Sequence, residues 1–408
     1  MDKLIIPSRL SGSVDIPASK SVAHRLLIAA ALADGESVIT NIYPSTDILA
    51  TVGAMRALGA EISLEGDTAR VKGITEPPAE AVIDCGESGS TLRFIIPIAA
   101  ALGVKATFIG RGKLPERPIT PYLEELPRHG ASFEYAGTMP FTVSGKLTAG
   151  EYRIGGDISS QFITGLMLAL SVIPGESRIT LTTRLESRPY VDITVGCLEE
   201  SGCRVTADGK GFTVPGGRRL APFSCAVEGD WSQAAFFEVA NALGSSVIIN
   251  GLNVNSYQGD KKILEICRDM VYNKNSVLSP FELDCSDIPD LVPILTVLAC
   301  FCEGESRITN AARLRIKESD RLDAISRCLN GIGGKVTAYE DMLVIEGVKS
   351  LKGGTADSFN DHRIAMAMAV ASAKCTAPLL IKGAECVAKS YPGFWEDFER
   401  LGGVFGEA

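Results

Sequence analysis

Short runs of cationic and hydroxyl side chains stand where apolar, small-residue-rich segments begin. Lys20-Ser21-Val22-Ala23-His24-Arg25 opens one of them. Backbone N–H groups at a helix start favour an anion, and Ser21 and Arg25, four apart, share one helix face. With Lys20 they make a cradle for phosphate or carboxylate. Taken alone, a capping Ser19 followed by a solvated basic turn explains the run better. A second run holds Arg313, Arg315, Lys317 and Arg321, with Glu318 and Asp320 between them. On one helix, Lys317 and Arg321 would be a like-charge i,i+4 pair costing about 0.2–0.5 kcal/mol. An anion is therefore expected between them, the alternative being a charge-alternating surface helix. Asn360-Asp361-His362-Arg363 and Lys389-Ser390 add further basic groups.

Two more clusters fit the same chemistry. In the loop Gly110 to Pro118, Arg111, Lys113 and Arg117 lie among glycines and prolines, as in an anion-seeking lid or an ordinary solvated loop. Ser159-Ser160-Gln161 enters an apolar helix, and N-capping accounts for one serine but not for all three side chains. Two carboxylates stand among these groups. Asp290 opens the apolar run Leu291 to Ala299, either as an N-cap or as a general acid or base whose pKa is set by nearby cations. Glu318, between Lys317 and Arg321, is a similar candidate. Of the histidines, His129 belongs to a turn, while His24 and His362 adjoin the basic clusters. No spacing of His, Cys and carboxylates suggests a metal, and there is no Gly-x-Gly-x-x-Gly or Walker loop. Cofactor-free chemistry on small anions is the expectation.

The elements that must hold these groups repeat about every seventy residues, six times along the chain. Polar helix starts recur near Ser19, Ser88, Ser159, Ser232, Pro289 and Asp361, with a shorter interval before Pro289. Glycine stops followed by short strands recur at Gly59, Gly130, Gly202, Gly333 and Gly402. The fourth copy lacks this stop: Ile263 to Tyr272 reads as a helix running out into Asn273-Lys274-Asn275. Each unit reads as βαβαββ-like, three per domain in a two-domain α/β protein. The expected domains are residues 18–225, and 1–17 together with 226–408. Two crossings would form a hinge, where a ligand cleft closes.

Composition agrees. The chain has 408 residues, 46% of them hydrophobic, enough for two cores. A net charge of −9 argues against nucleic acid as the main partner. Eleven cysteines without a Cys-x-x-Cys pair read as reduced thiols. The longest apolar run, Leu291 to Cys302, is too short to span a bilayer, and Met1-Asp2-Lys3 leads into a strand rather than a secretory leader. A soluble, cytoplasmic monomer is expected.

Seven ordered motifs resemble the signature set of the 5-enolpyruvylshikimate-3-phosphate (EPSP) synthase, or 3-phosphoshikimate 1-carboxyvinyltransferase, family. They are Pro17-Ala18-Ser19-Lys20-Ser21 with Arg25, Gly89-Ser90-Thr91-Leu92-Arg93, Glu116-Arg117-Pro118-Ile119, Ser159-Ser160-Gln161-Phe162, Lys317-Glu318-Ser319-Asp320-Arg321, Asn360-Asp361-His362-Arg363 and Lys389. The resemblance runs from Leu4 to about Trp395. It implies two inside-out α/β barrel domains and transfer of the enolpyruvyl group of phosphoenolpyruvate to the 5-hydroxyl of shikimate 3-phosphate, with no metal or cofactor.

The resemblance also implies the roles of particular residues. Lys20, Ser21, Arg25, Ser159, Ser160, Gln161, Ser187, Asp290 and Lys317 would hold shikimate 3-phosphate. Gly89, Arg117, Arg321, Arg363 and Lys389, with Lys20 and Gln161, would hold phosphoenolpyruvate. Asp290 would accept the hydroxyl proton and Glu318 would protonate the methylene carbon, with Lys20 or Lys389 sharing the proton traffic.

Two positions depart from the pattern: many members have Asn where Glu87 stands, and some have Asn where Arg313 stands. Gly89 keeps the small residue that in this family goes with room for glyphosate. The sister transferase acting on UDP-N-acetylglucosamine usually carries a lid-loop cysteine, which Gly110 to Pro118 lacks. A non-catalytic binding protein would gain nothing from Asp290 and Glu318 among its cations.

Overall fold

The computed structural model describes residues 1–217, 220–271 and 278–407. The chain divides into two compact units, Ala18–Glu228 and Met1–Pro17 with Gly229–Ala408, so it passes between them twice. At the crossings Ser19 N donates to Glu228 O within the first of these units, and Asp230 N donates to Pro17 O within the second.

In the Ala18–Glu228 unit, α1 (Lys20–Ala31) lies against a sheet in which Ser224–Ala226 runs parallel to Glu36–Thr40. Helix α2 (Thr46–Ala57) then leads to the antiparallel strands Glu61–Glu65 and Thr68–Lys72. The next repeat joins the parallel strands Glu80–Asp84 and Lys105–Ile109 through α3 (Gly89–Leu102), then adds α4 (Thr120–Glu125) and an antiparallel hairpin. The third repeats the pattern with α5 (Ser160–Leu170) and α6 (Arg188–Glu200).

The other unit follows the same plan. Ser11–Asp15 and Ser246–Asn250 run parallel across α7 (Trp231–Ala242), a sheet of two strands among the described residues. Helix α9 (Val292–Ala299), which follows α8 (Ile263–Glu265), connects the parallel strands Glu282–Asp284 and Glu305–Thr309; α10 (Arg321–Gly331) comes next. Helix α11 (His362–Ala371) connects Gly354–Asp357 to Leu379–Lys382, and α12 (Phe394–Arg400) follows. Lys3–Ile6 completes this last sheet, antiparallel to Leu379–Lys382 and to Val404–Phe405.

One helix of each repeat is buried on nearly every side. Val22 to Ala31 are all buried in α1, as is all of α9, and α3, α5, α7 and α11 are nearly as enclosed. A helix apolar all round must be surrounded by protein. In each unit three such helices therefore form the inside and three sheets the outside, and the second helix of most repeats is only half-buried.

Local structure departs from the sequence reading in two places. The expected helix from Ile263 is one α-helical turn followed by a π-helical stretch, Ile266–Val271, and Tyr272 to Asn275 lie outside the described residues. Lys317 and Arg321 do not share a helix. Asp320 accepts a bond from Asp323 N and caps α10 at Arg321, while Lys317 is extended (φ −88°, ψ −154°) after the 3-10 turn Ala312–Ile316. The like-charge penalty of a shared helix face is absent.

Candidate active site

In the Ala18–Glu228 unit the polar residues gather at the first turns of α1, α2, α3, α5 and α6. Each turn presents N–H groups and the positive end of a helix. Arg25 is buried in α1. Its guanidinium donates to Thr194 Oγ1 at 2.8 Å, Thr164 Oγ1 at 3.3 Å, Tyr190 O at 3.0 Å and Ser21 O at 2.6 Å. All four acceptors are neutral, so burial pulls its pKa down to about 10. A buried cation with no carboxylate partner among the described residues is unfavourable until an anion arrives. Tyr190 N donates to Ser187 O, which ties Arg25 to the start of α6, where Ser187 sits in the left-handed region at φ 55°.

A second group surrounds Gly89. Ser88 caps α3, accepting from Thr91 N at 3.2 Å. A β-carbon added at Gly89 would lie 2.5 Å from Arg117 Nη1 and 3.7 Å from Gln161 Oε1. Gln161 is gripped at both ends of its amide, Oε1 accepting from Arg93 Nη1 at 2.7 Å and Nε2 donating to Ser90 Oγ at 2.9 Å. Ser159 caps α5 through Gln161 N, and Ser160 is buried beside it. Of the loop cations, Arg117 is buried while Arg111 and Lys113 are exposed. Glu87 turns toward that loop: its carboxyl carbon lies 2.7 Å from where a β-carbon of Gly112 would stand.

Two polar residues of α2 belong here although no motif marks them. Asp47 accepts from Lys20 Nζ at 2.8 Å. Thr51 Oγ1 bonds His24 Nδ1 and Thr91 Oγ1, each at 2.7 Å, and Thr91 Oγ1 donates to Ser88 Oγ at 2.8 Å. Burial, reinforced by Lys20 and Arg25, holds His24 well below its ordinary pKa, so its ring is neutral. Asp47 and Thr51 stand i and i+4 on the buried face of α2, and that polar pair among Ile48, Val52 and Met55 was the available sequence signal.

In the other unit the helix starts carry a cage of charges. Arg321 is 2% exposed. Its Nε donates to Asp361 Oδ2 at 2.8 Å, Nη1 to Asp290 Oδ1 at 2.9 Å and Nη2 to Glu318 Oε2 at 2.7 Å. Burial lowers its pKa, but Asp361, Glu318 and Asp290 outweigh that and raise it above the ordinary value. Arg363 Nη2 donates to Asp290 Oδ2 at 2.7 Å and Ser232 Oγ at 3.0 Å, and Nη1 to Asp290 O at 3.2 Å. Asp290 does not cap α9; its carboxylate bridges two arginines. Asp361 caps α11 and also accepts from Ser319 Oγ at 3.0 Å.

Lys317 makes no hydrogen bond or ion pair among the described residues. Burial pushes its pKa down to about 8, a shift that Asp290 opposes and Arg321 reinforces. Lys389 Nζ donates to Asn360 O at 2.7 Å, and Arg313 Nη2 to Ser286 O. The expected site residues thus form two groups, one in each unit. Lys20, Ser21, Arg25, Gly89, Arg117, Ser159, Ser160, Gln161 and Ser187 belong to the first group, and Asp290, Lys317, Glu318, Arg321, Arg363 and Lys389 to the second. No three His, Cys, Asp or Glu side chains among the described residues are placed to hold a metal, and no helix there is long and apolar enough to cross a membrane.

Known proteins resemble this chain in sequence and fold. The sequence profile of EPSP synthase (3-phosphoshikimate 1-carboxyvinyltransferase) matches residues 4–398. The 3-phosphoshikimate 1-carboxyvinyltransferase of Clostridium kluyveri is 47% identical over 99% of this chain and 98% of its own. That of Clostridium perfringens is 45% identical over 99% of both. The crystal structure of EPSP synthase from Acinetobacter baumannii superposes with a TM-score of 0.82 at 27% identity, covering 100% of both chains. The chain belongs to the EPSP synthase (3-phosphoshikimate 1-carboxyvinyltransferase) family.

Proposed function

We propose that this chain transfers the enolpyruvyl group of phosphoenolpyruvate to the 5-hydroxyl of shikimate 3-phosphate and releases inorganic phosphate. The observation that carries this reading is the family match from residue 4 to residue 398, joined to the helix-start cations that the motifs specify. Arg25, buried without a carboxylate partner among the described residues, suits a phosphate of the acceptor, which Lys20, Ser21, Ser159, Ser160, Gln161 and Ser187 would also contact. Gly89 and Arg117 suit the donor phosphate, since no side chain at Gly89 obstructs the guanidinium. Arg321, Arg363 and Lys389 suit the donor's remaining anionic groups.

The chemistry is addition followed by elimination. The acceptor hydroxyl gives its proton to Asp290 as its oxygen joins the donor's central carbon, and Glu318 protonates the methylene carbon. In the second stage phosphate leaves, Glu318 takes the methyl proton back, and the hydroxyl proton held by Asp290 passes to the departing phosphate, so that both carboxyls return to their starting states. Lys317 would neutralise acceptor charge, while Lys20 and Lys389 would relay the Asp290 proton to the departing phosphate.

The experiment is phosphate release from phosphoenolpyruvate with shikimate 3-phosphate as acceptor, run beside UDP-N-acetylglucosamine with no metal added. Release that depends on shikimate 3-phosphate alone is expected; none with either acceptor would overturn the assignment.

A further inference from the structure

The motif residues of α1 are held in place by a helix that carries no motif. Asp47 and Thr51 stand one turn apart on α2, and Lys20 and His24 stand one turn apart on α1. The two pairs meet in register, Asp47 with Lys20 at 2.8 Å and Thr51 with His24 at 2.7 Å. Thr51 continues the contact to Thr91 and hence to Ser88, the cap of the turn that carries Gly89. A polar ladder thus crosses an otherwise apolar packing of three helices.

Asp47 is the charged rung. It is 8% exposed, and among the described residues the Lys20 ammonium is its only hydrogen-bond or ion-pair partner. Lysine is a strongly hydrated charge on a stem with four rotatable bonds, so by itself it would not hold one position beside a ligand. Asp47 removes that freedom, while the neutral rung Thr51–His24 fixes the helices on which both side chains ride.

We propose that Asp47 is a positioning residue for the transfer reaction, acting through Lys20. The inference rests on the reading above that Lys20 meets the substrates. A carboxylate in the first turn of α2 would also favour that helix through its dipole, which is a purely structural role. The two roles predict different kinetics. Asp47→Asn keeps the shape and a hydrogen-bond acceptor but removes the charge, leaving Lys20 less restrained and the anion site more positive. Positioning therefore predicts a lower kcat without a higher KM for phosphoenolpyruvate, whereas a destabilised fold predicts a lower melting temperature and weaker binding of both ligands.

The test is a double-mutant cycle of wild type, Asp47→Asn, Lys20→Met and the double variant. Turnover, shikimate 3-phosphate binding by titration calorimetry, and melting temperature are read in all four, and the cycle is closed on kcat, measured in the Lys20→Met variants by product accumulation over long incubations. Expected is a loss in kcat on the order of tenfold for Asp47→Asn, an unchanged melting temperature, and no further effect of Asp47→Asn in the Lys20→Met background. Wild-type kcat in Asp47→Asn, or an equal effect in both backgrounds, overturns the inference while the functional assignment stands. A wild type that releases no phosphate overturns both.

Discussion

Asp290 and Arg321 are joined by an ion pair of 2.9 Å, and the second carboxylate oxygen of Asp290 is held by Arg363 at 2.7 Å. The group assigned to proton transfer therefore binds the same two guanidiniums assigned to the donor. Burial would raise the Asp290 pKa, but Arg363, Arg321 and Lys317 outweigh it and hold the carboxyl well below its usual range. So gripped, Asp290 is ionised but a weak base. A donor anion that draws the arginines to itself would loosen the grip and make Asp290 more basic at the moment the acceptor hydroxyl must lose its proton.

Asp290→Asn should accordingly lose on the order of 10²–10⁴ in kcat, the usual contribution of a positioned general base. Donor binding should survive, because Arg321 retains Asp361 and Glu318 and Arg363 retains Ser232. Stopped-flow and steady-state assays with phosphoenolpyruvate check this; a loss confined to KM would assign Asp290 to binding instead.

The same depressed pKa gives a stability prediction with a definite sign. A carboxyl whose folded pKa lies below its unfolded value of about 3.9 contributes stability above that pH and loses it as pH falls toward the folded value. Wild type should therefore lose stability below about pH 4 more steeply than Asp290→Asn. Urea unfolding at a series of acidic pH values measures the two slopes, and equal slopes would contradict the prediction.

Much of this was legible in the chain because helix starts and stops are local. Ser88, Ser159, Asp230 and Asp361 cap where the repeat placed helix starts, and the expected stops Gly59, Gly130, Gly202, Gly333 and Gly402 all stand at positive φ. What could not be read was pairing over distance. Nothing near Lys20 announces Asp47, nothing near Arg321 announces Asp361, and each pair is set by which buried helices lie side by side. The helix imagined through Lys317 failed for a local reason, since the Asp320 cap restarts the helix at Arg321. The stretch Ile266–Val271 gave no warning of its π-helical form, because its apolar spacing suits an α-helix equally well.

Lys317 offers a test by proton counting. Its pKa, about 8, lies below the ordinary lysine value because burial disfavours the charge. A bound phosphate or carboxylate would stabilise the ammonium and raise that pKa. At pH 8, where the side chain is about half protonated, binding of shikimate 3-phosphate should take up a fraction of a proton, and at pH 6 almost none from this group. Calorimetry in buffers of different ionisation enthalpy measures the uptake. Lys317→Met should abolish it at pH 8, and an unchanged uptake in that variant would assign the proton elsewhere.

Gly89 gives the most local prediction. A β-carbon there would stand 2.5 Å from Arg117 Nη1, well inside contact distance, and the obstructing atom is the far end of a flexible side chain. Gly89→Ala should therefore fold normally while pushing the Arg117 guanidinium aside. Since Arg117 is assigned to the donor phosphate, KM for phosphoenolpyruvate should rise on the order of tenfold, the loss of one charge-assisted hydrogen bond. Shikimate 3-phosphate affinity should hold, because Arg25 and its partners lie on α1, α5 and α6. The wild type, with the same space open, should lose turnover to glyphosate as its concentration approaches that of phosphoenolpyruvate. A Gly89→Ala enzyme with wild-type KM would show that Arg117 can yield without leaving its ligand.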